Sequence, residues 1–362
     1  MPRRLQRVTV AFSVRHVAGK NMEQEEKILY LDPDDVRFFS GRSNPELAKK
    51  ITDFLDVPLD KTHFSRFSND NLFVQLGASV RGRNVYIIQS LTPPVSDHLL
   101  ELLMMLDIAK SASAREVHAI IPYFSYARSD KKDAPRISIT ARLVADLLKT
   151  AGATHVMTMR LHPAQVHGFF SIPADPVTAR HLMAEYARHH GLNTPDTVVV
   201  APDIGNAKSS SRLAEMLGLS VATAIKTRLS DQKVRIDDMF ERQVAGFRHA
   251  IFYDDEIATG GTVMELCRNL VESGIEQITV MCTHGLFLGR AVERMKTIPQ
   301  IREVITTDTV VRPPERRPDN LTVISTAPVF GGAIRQNYLR ESIGDLFSFW
   351  EDTRLGLSPD ID

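Results

Sequence analysis

The stretch Ile251–Thr262, IFYDDEIATGGT, restricts what this chain can fold into more than any other. An apolar run stops at two carboxylates and a Thr-Gly-Gly-Thr turn, and the helical pattern VMELCRNLVESG follows, so the segment predicts strand, loop and helix. Such a loop suits a phosphate. Gly260 and Gly261 permit a tight turn with N–H groups facing inward, Thr259 and Thr262 add hydroxyl donors, and the next helix presents its positive dipole end. Asp254 and Asp255 would repel that phosphate unless they bind its hydroxyls or its metal. A sugar phosphate meets both needs. A bare Gly-Gly pair would mark only an ordinary strand-to-helix turn; the full string points to a ligand.

The same grammar recurs along the chain. VRFFSGRSNPELAKKITDFLDV reads as strand, turn and helix, with Asn44 as cap and Pro45 at the first helical position. FSNDNLFVQLGASVRGRNVYIIQSL supplies two strands joined at Arg81–Asn84, a helix covers 96–112, and Val117–Ile121 and HVMTM are further strands. In the second half TVVVAPD, SVATAIKTR, HAIFYDD, QITVMCTHG and LTVIS read as strands, AKSSSRLAEMLGL and APVFGGAIRQNYLR as helices. Short apolar strands alternating with helices predict α/β architecture with mainly parallel sheets covered on both faces. At 362 residues the chain is long enough for two domains. Prolines and a composition shift near Ala174–Val177 place the boundary there, giving a lead-in over 1–35 and domains over 36–177 and 178–330. A helix over 331–350 is expected to pack back on the first domain, followed by a tail over 351–362. Thr306–Asn320, rich in prolines and charges, reads as a surface loop.

Composition excludes several partners. The 44 basic residues balance 44 acidic ones, so no global field draws nucleic acid or an anionic membrane, and any phosphate affinity must be local. No apolar run approaches the ~20 residues of a membrane span, and the apolar stretch in MPRRLQRVTVAFSV is too short for a secretory signal. A soluble, cytoplasmic protein is expected. The first 22 residues hold five basic side chains and no acid, a weak likeness to an organellar transit peptide, against which we keep the plainer reading of a basic strand. Cys267 and Cys282 read as reduced, buried thiols.

Three further loops carry chemistry. Arg128, after an aromatic strand end, can stack on a purine or clamp a phosphate, and the run to Lys132 adds positive potential, although such runs are commonly solvated faces. His162, between Leu161 and Pro163, could touch a phosphate or a metal; a lone histidine there is more often structural. Asp203, ending VVVAPD, is set to bind ribose hydroxyls, and Gly205 lets backbone approach the sugar.

From about Phe38 to Phe349 the order of motifs resembles the ribose-phosphate diphosphokinases, which make phosphoribosyl pyrophosphate (PRPP). The strings are FSGRSNPELA, FSND, SVRGRNVYIIQS, PYFSYARSDKKD, LHPAQVHGFFSIPAD, APDIGNAK, DDEIATGGT and THGLF. The resemblance implies two phosphoribosyltransferase-type domains, with ATP on the first and ribose 5-phosphate on the second. It implies transfer of the diphosphoryl group of ATP to the 1-hydroxyl of ribose 5-phosphate, with Mg2+ and with inorganic phosphate as an activator. Lys226, Arg228 and His162 match the family's catalytic positions; Phe67, Asn69, Asn71, Arg128, Ser129 and His162 its ATP site. Asp203, Asp254, Asp255, Ala258, Thr259, Gly260, Gly261 and Thr262 match the ribose-5-phosphate site, and His162 and Asp175 would be the metal ligands. The hairpin at Phe67 and Asn69 would reach a neighbouring subunit's adenine, so a dimer-based homo-oligomer is implied, hexamers being common in the family.

The departures bear on the same site. Arg160 and Ser171 stand where the family usually has acids, Asn71 replaces the hairpin's acid, Ser129 a glutamine, Ser209 a basic residue, and Ala258 the acid of the central loop. Exchanging a carboxylate for Arg160 alters the local charge by about two units, each worth about 4 kcal/mol within ~4 Å at an effective dielectric of ~20. That is enough to repel a magnesium and equally enough to grip a phosphate. Two other readings follow: a non-catalytic regulatory subunit, supported by the altered acids, and a purine phosphoribosyltransferase, supported by Ala258 and the TGGT loop.

Overall fold

The computed structural model describes residues 31–346 apart from His162, Ile225, Asp231, Gln232 and Asp237; the side chains of 225–238 and of Asp345 also fall outside the description. Strand β1 (Val36–Ser40) leads into helix α1 (Pro45–Leu55). Asn44 accepts the Leu47 N–H at 3.2 Å and Pro45 occupies the first turn, so the helix starts where the sequence predicts. The antiparallel hairpin β2 (Thr62–Arg66) and β3 (Leu72–Leu76) comes next. Only β3 was legible, because β2 is mostly exposed and shows no run of apolar residues. Strand β4 (Asn84–Ile88), helix α2 (Val95–Ser111), strand β5 (Glu116–Ile121), helix α3 (Thr140–Ala151), and strands β6 (His155–Met159) and β7 (Ala174–Val177) complete the first sheet. Its order is β1-β4-β5-β6-β7, every pairing parallel.

The second sheet contains β8 (Thr197–Ala201), β9 (Ser220–Thr223), β12 (His249–Ile257), β13 (Gln277–Gly285), β14 (Ile301–Thr307) and β15 (Leu321–Ile324), ordered β15-β14-β13-β12-β8-β9 and again parallel throughout. Between β9 and β12 stands a hairpin, β10 (Lys226–Ser230) with β11 (Lys233–Ile236). The helices are α4 (Arg180–His189), α5 (Ile204–Leu217), α6 (Asp238–Val244), α7 (Gly261–Glu272), α8 (Ala291–Lys296) and α9 (Ala327–Leu339).

Both sheets are covered on both faces, which is why β4, β6 and β8 are buried at every position. In the second sheet, Val263 and Leu270 of α7 pack with Phe252 and Val280 on one face, and Leu213 of α5 packs with Tyr253 and Met281 on the other. In the first, α9 returns from the end of the chain, putting Phe330 and Ile334 against Leu47 and Ile51 of α1. A Cβ at Gly331 would overlap the Phe54 ring, so the two helices approach closely there.

Three expectations change. Strand β12 runs on to Ile257, so Asp254 and Asp255 lie inside it and the loop shrinks to Ala258–Gly260; the pairings Asp254↔Cys282 and Glu256↔His284 hold the carboxylates in the sheet. Helix α5 starts at Ile204, directly after Asp203. The surface loop expected over Thr306–Asn320 is buried at Thr306–Val310 and Arg312. Polar residues inside are satisfied there: Asn44 donates to the Asp308 carbonyl at 2.7 Å, Ser90 to the Thr309 carbonyl at 2.7 Å, and Lys50 pairs with the Asp308 carboxylate at 2.8 Å.

Candidate active site

Neighbouring strands β8 and β12 send their following helices, α5 and α7, to opposite faces of the second sheet. A crevice outside the carboxyl ends of strands at such a switch point is where open α/β sheets bind ligands. Asp203 follows β8 and caps α5, its Oδ1 accepting the Asn206 N–H at 3.0 Å. Asn206 Nδ2 then donates to Asp254 Oδ1 at 2.5 Å and faces Asp255 Oδ1 at 3.4 Å. The Asp255 N–H donates to Asp254 Oδ1 at 2.7 Å. Both carboxylates are buried. Burial, and then the neighbouring Asp255, raise the Asp254 carboxyl well above the ordinary carboxylate range. Such a pair gains most from a partner with hydroxyl donors or positive charge.

The loop beyond them is held by its own backbone. Leu286 N–H donates to the Ile257 carbonyl at 3.0 Å and Leu288 N–H to the Ala258 carbonyl at 2.8 Å. Gly260 takes φ +73°, the left-handed region, and no side chain caps the helix that starts at Gly261. The first N–H groups of α7 are therefore available to an anion. Thr259, Gly261 and Thr262 are exposed at the rim, while Gly260 is buried.

The first sheet turns its carboxyl ends toward this crevice. His284 on β13 donates through Nε2 to the Met159 carbonyl, the end of β6, at 3.1 Å, and its Nδ1 lies 2.9 Å from Thr309 Oγ1. Burial lowers its pKa to about 4, so it sits there neutral. Tyr123, just past β5, donates to Glu256 Oε2 at 3.1 Å, and Arg128 faces Glu256 Oε1 at 3.5 Å. Arg160 follows β6 with φ +44°, and its guanidinium donates to Asn206 Oδ1 at 3.1 Å. The residue expected to repel a metal or grip a phosphate thus steadies the amide that holds Asp254.

Other expected residues are less centrally placed. Ser129 accepts the Thr140 N–H at 3.3 Å and donates to the Ser138 carbonyl at 3.2 Å, fixing the entry to α3. Phe67, Asn69 and Asn71 sit on the β2–β3 turn: Phe67 is 57% exposed and packs edge-on against Phe73, and Asn69 accepts the Asn71 N–H at 3.3 Å. That hairpin is tied to α2 through Arg66 and Asp97. Lys226 and Arg228 lie on β10, opposite Ile236 and Val234, in the hairpin that follows β9; their side chains, and His162 altogether, lie outside the described residues.

Asp175 does not join the site. It enters β7 near its amino end, accepts from His155 Nε2 at 2.7 Å, and lines a cavity of about 900 Å³ with Asp35, Asn84, Arg115 and Tyr338, at the opposite end of the first sheet. Nearness in sequence to the Phe169–Phe170 pair says nothing about which end of a strand a residue occupies. Among the described residues no three carboxylate, imidazole or thiolate groups converge on a metal position. Asn206, Glu256, Tyr123 and His284 were missed. Asn206 stands three residues after Asp203, the spacing of a helix cap, and was the one with a readable signal.

The chain is similar to known proteins over most of its length. Residues 36–152 match the N-terminal domain of ribose phosphate pyrophosphokinase, and residues 241–348 the phosphoribosyl synthetase-associated domain. A Streptomyces coelicolor relative is 47% identical over 313 residues, covering 86% of this chain and 98% of its own. The ribose-phosphate pyrophosphokinase of Deinococcus radiodurans is 42% identical over 86% of this chain and 97% of that one. The crystal structure of phosphoribosylpyrophosphate synthetase from Mycobacterium smegmatis superposes with a TM-score of 0.78 at 37% identity, covering 84% of this chain and 99% of that one.

Proposed function

The chain belongs to the ribose-phosphate pyrophosphokinase family, and on that premise we propose that it is a ribose-phosphate diphosphokinase supplying PRPP for nucleotide biosynthesis. The 1-hydroxyl oxygen of ribose 5-phosphate attacks the β-phosphorus of ATP and gives up its proton to solvent; the bond from that phosphorus to the oxygen bridging the α-phosphorus breaks, and AMP leaves with that oxygen. One observation carries the reading: Glu256, on the strand that bears the paired acids and leads into the uncapped α7, also meets Arg128 on the loop after β5 of the other sheet. Two substrates bound at these two places would face each other across the crevice.

The roles follow from charge and shape. The Ala258–Thr262 turn holds the 5-phosphate with the α7 N–H groups and the Thr259 and Thr262 hydroxyls. Asp203, Asp254 and Asp255 take ring hydroxyls, with Asn206 fixing Asp254. Arg128 holds the nucleotide, and His162, Lys226 and Arg228 steady charge on the transferring group, the chief demand of phosphoryl transfer. Mg2+, when bound with ATP, would neutralise phosphate charge. The residues fit that mode, because magnesium commonly takes one or two carboxylates, here Asp254 and Asp255, and completes its shell from substrate and water. Asp175 has no part in it.

The same reading extends to the molecule's setting. The halves 36–177 and 178–330 act as the ATP and ribose 5-phosphate domains. The exposed Phe67 hairpin supports a dimer-based homo-oligomer, inorganic phosphate acts as activator, and the enzyme works in the cytoplasm; no described helix is long and apolar enough to cross a membrane. Purified protein with ATP, ribose 5-phosphate and Mg2+ should yield AMP and PRPP in equal amounts. Absent turnover with retained ligand-induced thermal stabilisation would instead indicate a regulatory subunit, and base-dependent consumption of PRPP a purine phosphoribosyltransferase.

A further inference from the structure

The Glu256 carboxylate meets two side chains from the first sheet's loops, Tyr123 and Arg128, among the described residues. Oε2 accepts the Tyr123 hydroxyl at 3.1 Å while Oε1 faces the Arg128 guanidinium at 3.5 Å. Its side chain is 12% exposed, so the carboxylate end of the contact is largely out of water. Tyr123 is itself anchored, buried among Leu286 and Val310, and its backbone carbonyl accepts the Leu91 N–H at 2.8 Å. Arg128, by contrast, is half-exposed and follows Tyr126, a non-glycine residue at φ +63°. A long cation on such a loop has many rotamers to lose on meeting a phosphate, and a buried carboxylate that holds it beforehand removes part of that cost.

We propose that Glu256 is a positioning residue for the nucleotide: it presets Arg128 for the ATP phosphates and joins that half-site to the strand that carries Asp254 and Asp255. The proposal rests on the diphosphokinase reading for the identity of the ligand. It makes β12 a shared strut, with Asp254 and Asp255 serving the sugar and Glu256, one residue on, serving the nucleotide through Arg128.

The test uses the full chain and equilibrium binding, so it needs no turnover. Glu256→Gln keeps the volume and an acceptor for Tyr123 and removes the charge. Affinity for a non-hydrolysable ATP analogue with Mg2+, read by calorimetry, should fall about tenfold while that for ribose 5-phosphate stays within about twofold. Arg128→Ala, at a half-exposed position that leaves the core untouched, should weaken the analogue at least as much, and adding Glu256→Gln to it should change little further, because the two act as one unit. An unchanged or tighter affinity for the analogue in Glu256→Gln, equal losses for both ligands, or full additivity of the two substitutions would each overturn the proposal. A wild-type protein that binds the analogue and forms no PRPP would count against the reaction and leave these binding outcomes decisive for Glu256.

Discussion

Asp254 carries the sharpest conflict between folding and function in this molecule. It is buried beside Asp255 and its carboxyl is raised well above the usual range, chiefly by desolvation. An acid whose folded pKa is raised favours the fold below its ordinary pKa and loses that contribution as pH rises through the folded value. Asp254→Asn keeps an acceptor for Asn206 and removes the charge. We expect its melting temperature at pH 8 to exceed that of wild type by a few degrees, the gain shrinking toward pH 4, while ribose 5-phosphate binding is lost. Scanning calorimetry at both pH values checks this. Lys226→Ala tests the other pole: turnover should fall by about 10²–10³ with ribose 5-phosphate affinity nearly kept, since positioned cations act on charge that develops in the transition state. An unchanged rate would remove Lys226 from the mechanism. At this scale the carboxylates and the glycine-hydroxyl turn were legible because each has a local reason to exist. Glu256 and His284 were not, because their partners stand 133 and 125 residues away in the chain, and of Asn206 only its cap spacing after Asp203 was readable, its bond to Asp254 lying 48 residues away. Asp175 misled for the complementary reason: its true partner, His155, sits at the other end of the sheet from the crevice.

Among the elements, the junction of β12 with α7 matters most. Gly260 holds φ +73°, and a Cβ there would lie 3.5 Å from the Ala291 Cβ, an ordinary contact. The cost of Gly260→Ala is therefore conformational, about 1–2 kcal/mol. We predict a loss of about 2–4 °C in melting temperature per kcal/mol and weaker binding of ribose 5-phosphate, with ATP binding spared; thermal shift with each ligand separates the two. Helices and buried strands were readable here, because α1 shows its apolar stripe and its Asn44-Pro45 start, and β4 and β8 are continuous apolar runs. Element ends were harder. Strand β12 passes its own carboxylates because β13 pairs with it as far as Ile257↔Gly285, a neighbour that no local pattern reveals. The β2 strand and the buried turn after β14 escaped for the same cause, since their order comes from the hairpin partner β3 and from Asn44 and Lys50 of α1 and its cap and Ser90 after β4.

On the scale of the whole molecule, two parallel sheets meet at their carboxyl ends, and the join is made of polar groups that must stay in one protonation state. His284, at that join, is lowered to about 4, and His118, beside His155 toward the amino end of the first sheet, to about 3, both by burial first. For such histidines the unfolded chain takes the proton first, so the stability they contribute is whole above pH ~6.5 and drains as pH falls toward the folded values. Urea unfolding should lose up to ~1.4 kcal/mol per pH unit for each histidine across that window, and His284→Gln should flatten the slope. The two-sheet plan and its helix cover were foreseeable from the alternation of patterns, whereas the inter-sheet hydrogen bonds that align the half-sites were not. Those bonds matter only if the crevice passes two phosphoryl units in one step. ATP whose β- and γ-phosphoryl groups carry different numbers of heavy-oxygen atoms, incubated with ribose 5-phosphate and Mg2+ and followed by phosphorus NMR, tests that directly. Both labels should appear together on the sugar product with unlabelled AMP released; a product holding the γ label alone, or a β label left behind in ADP, would contradict it.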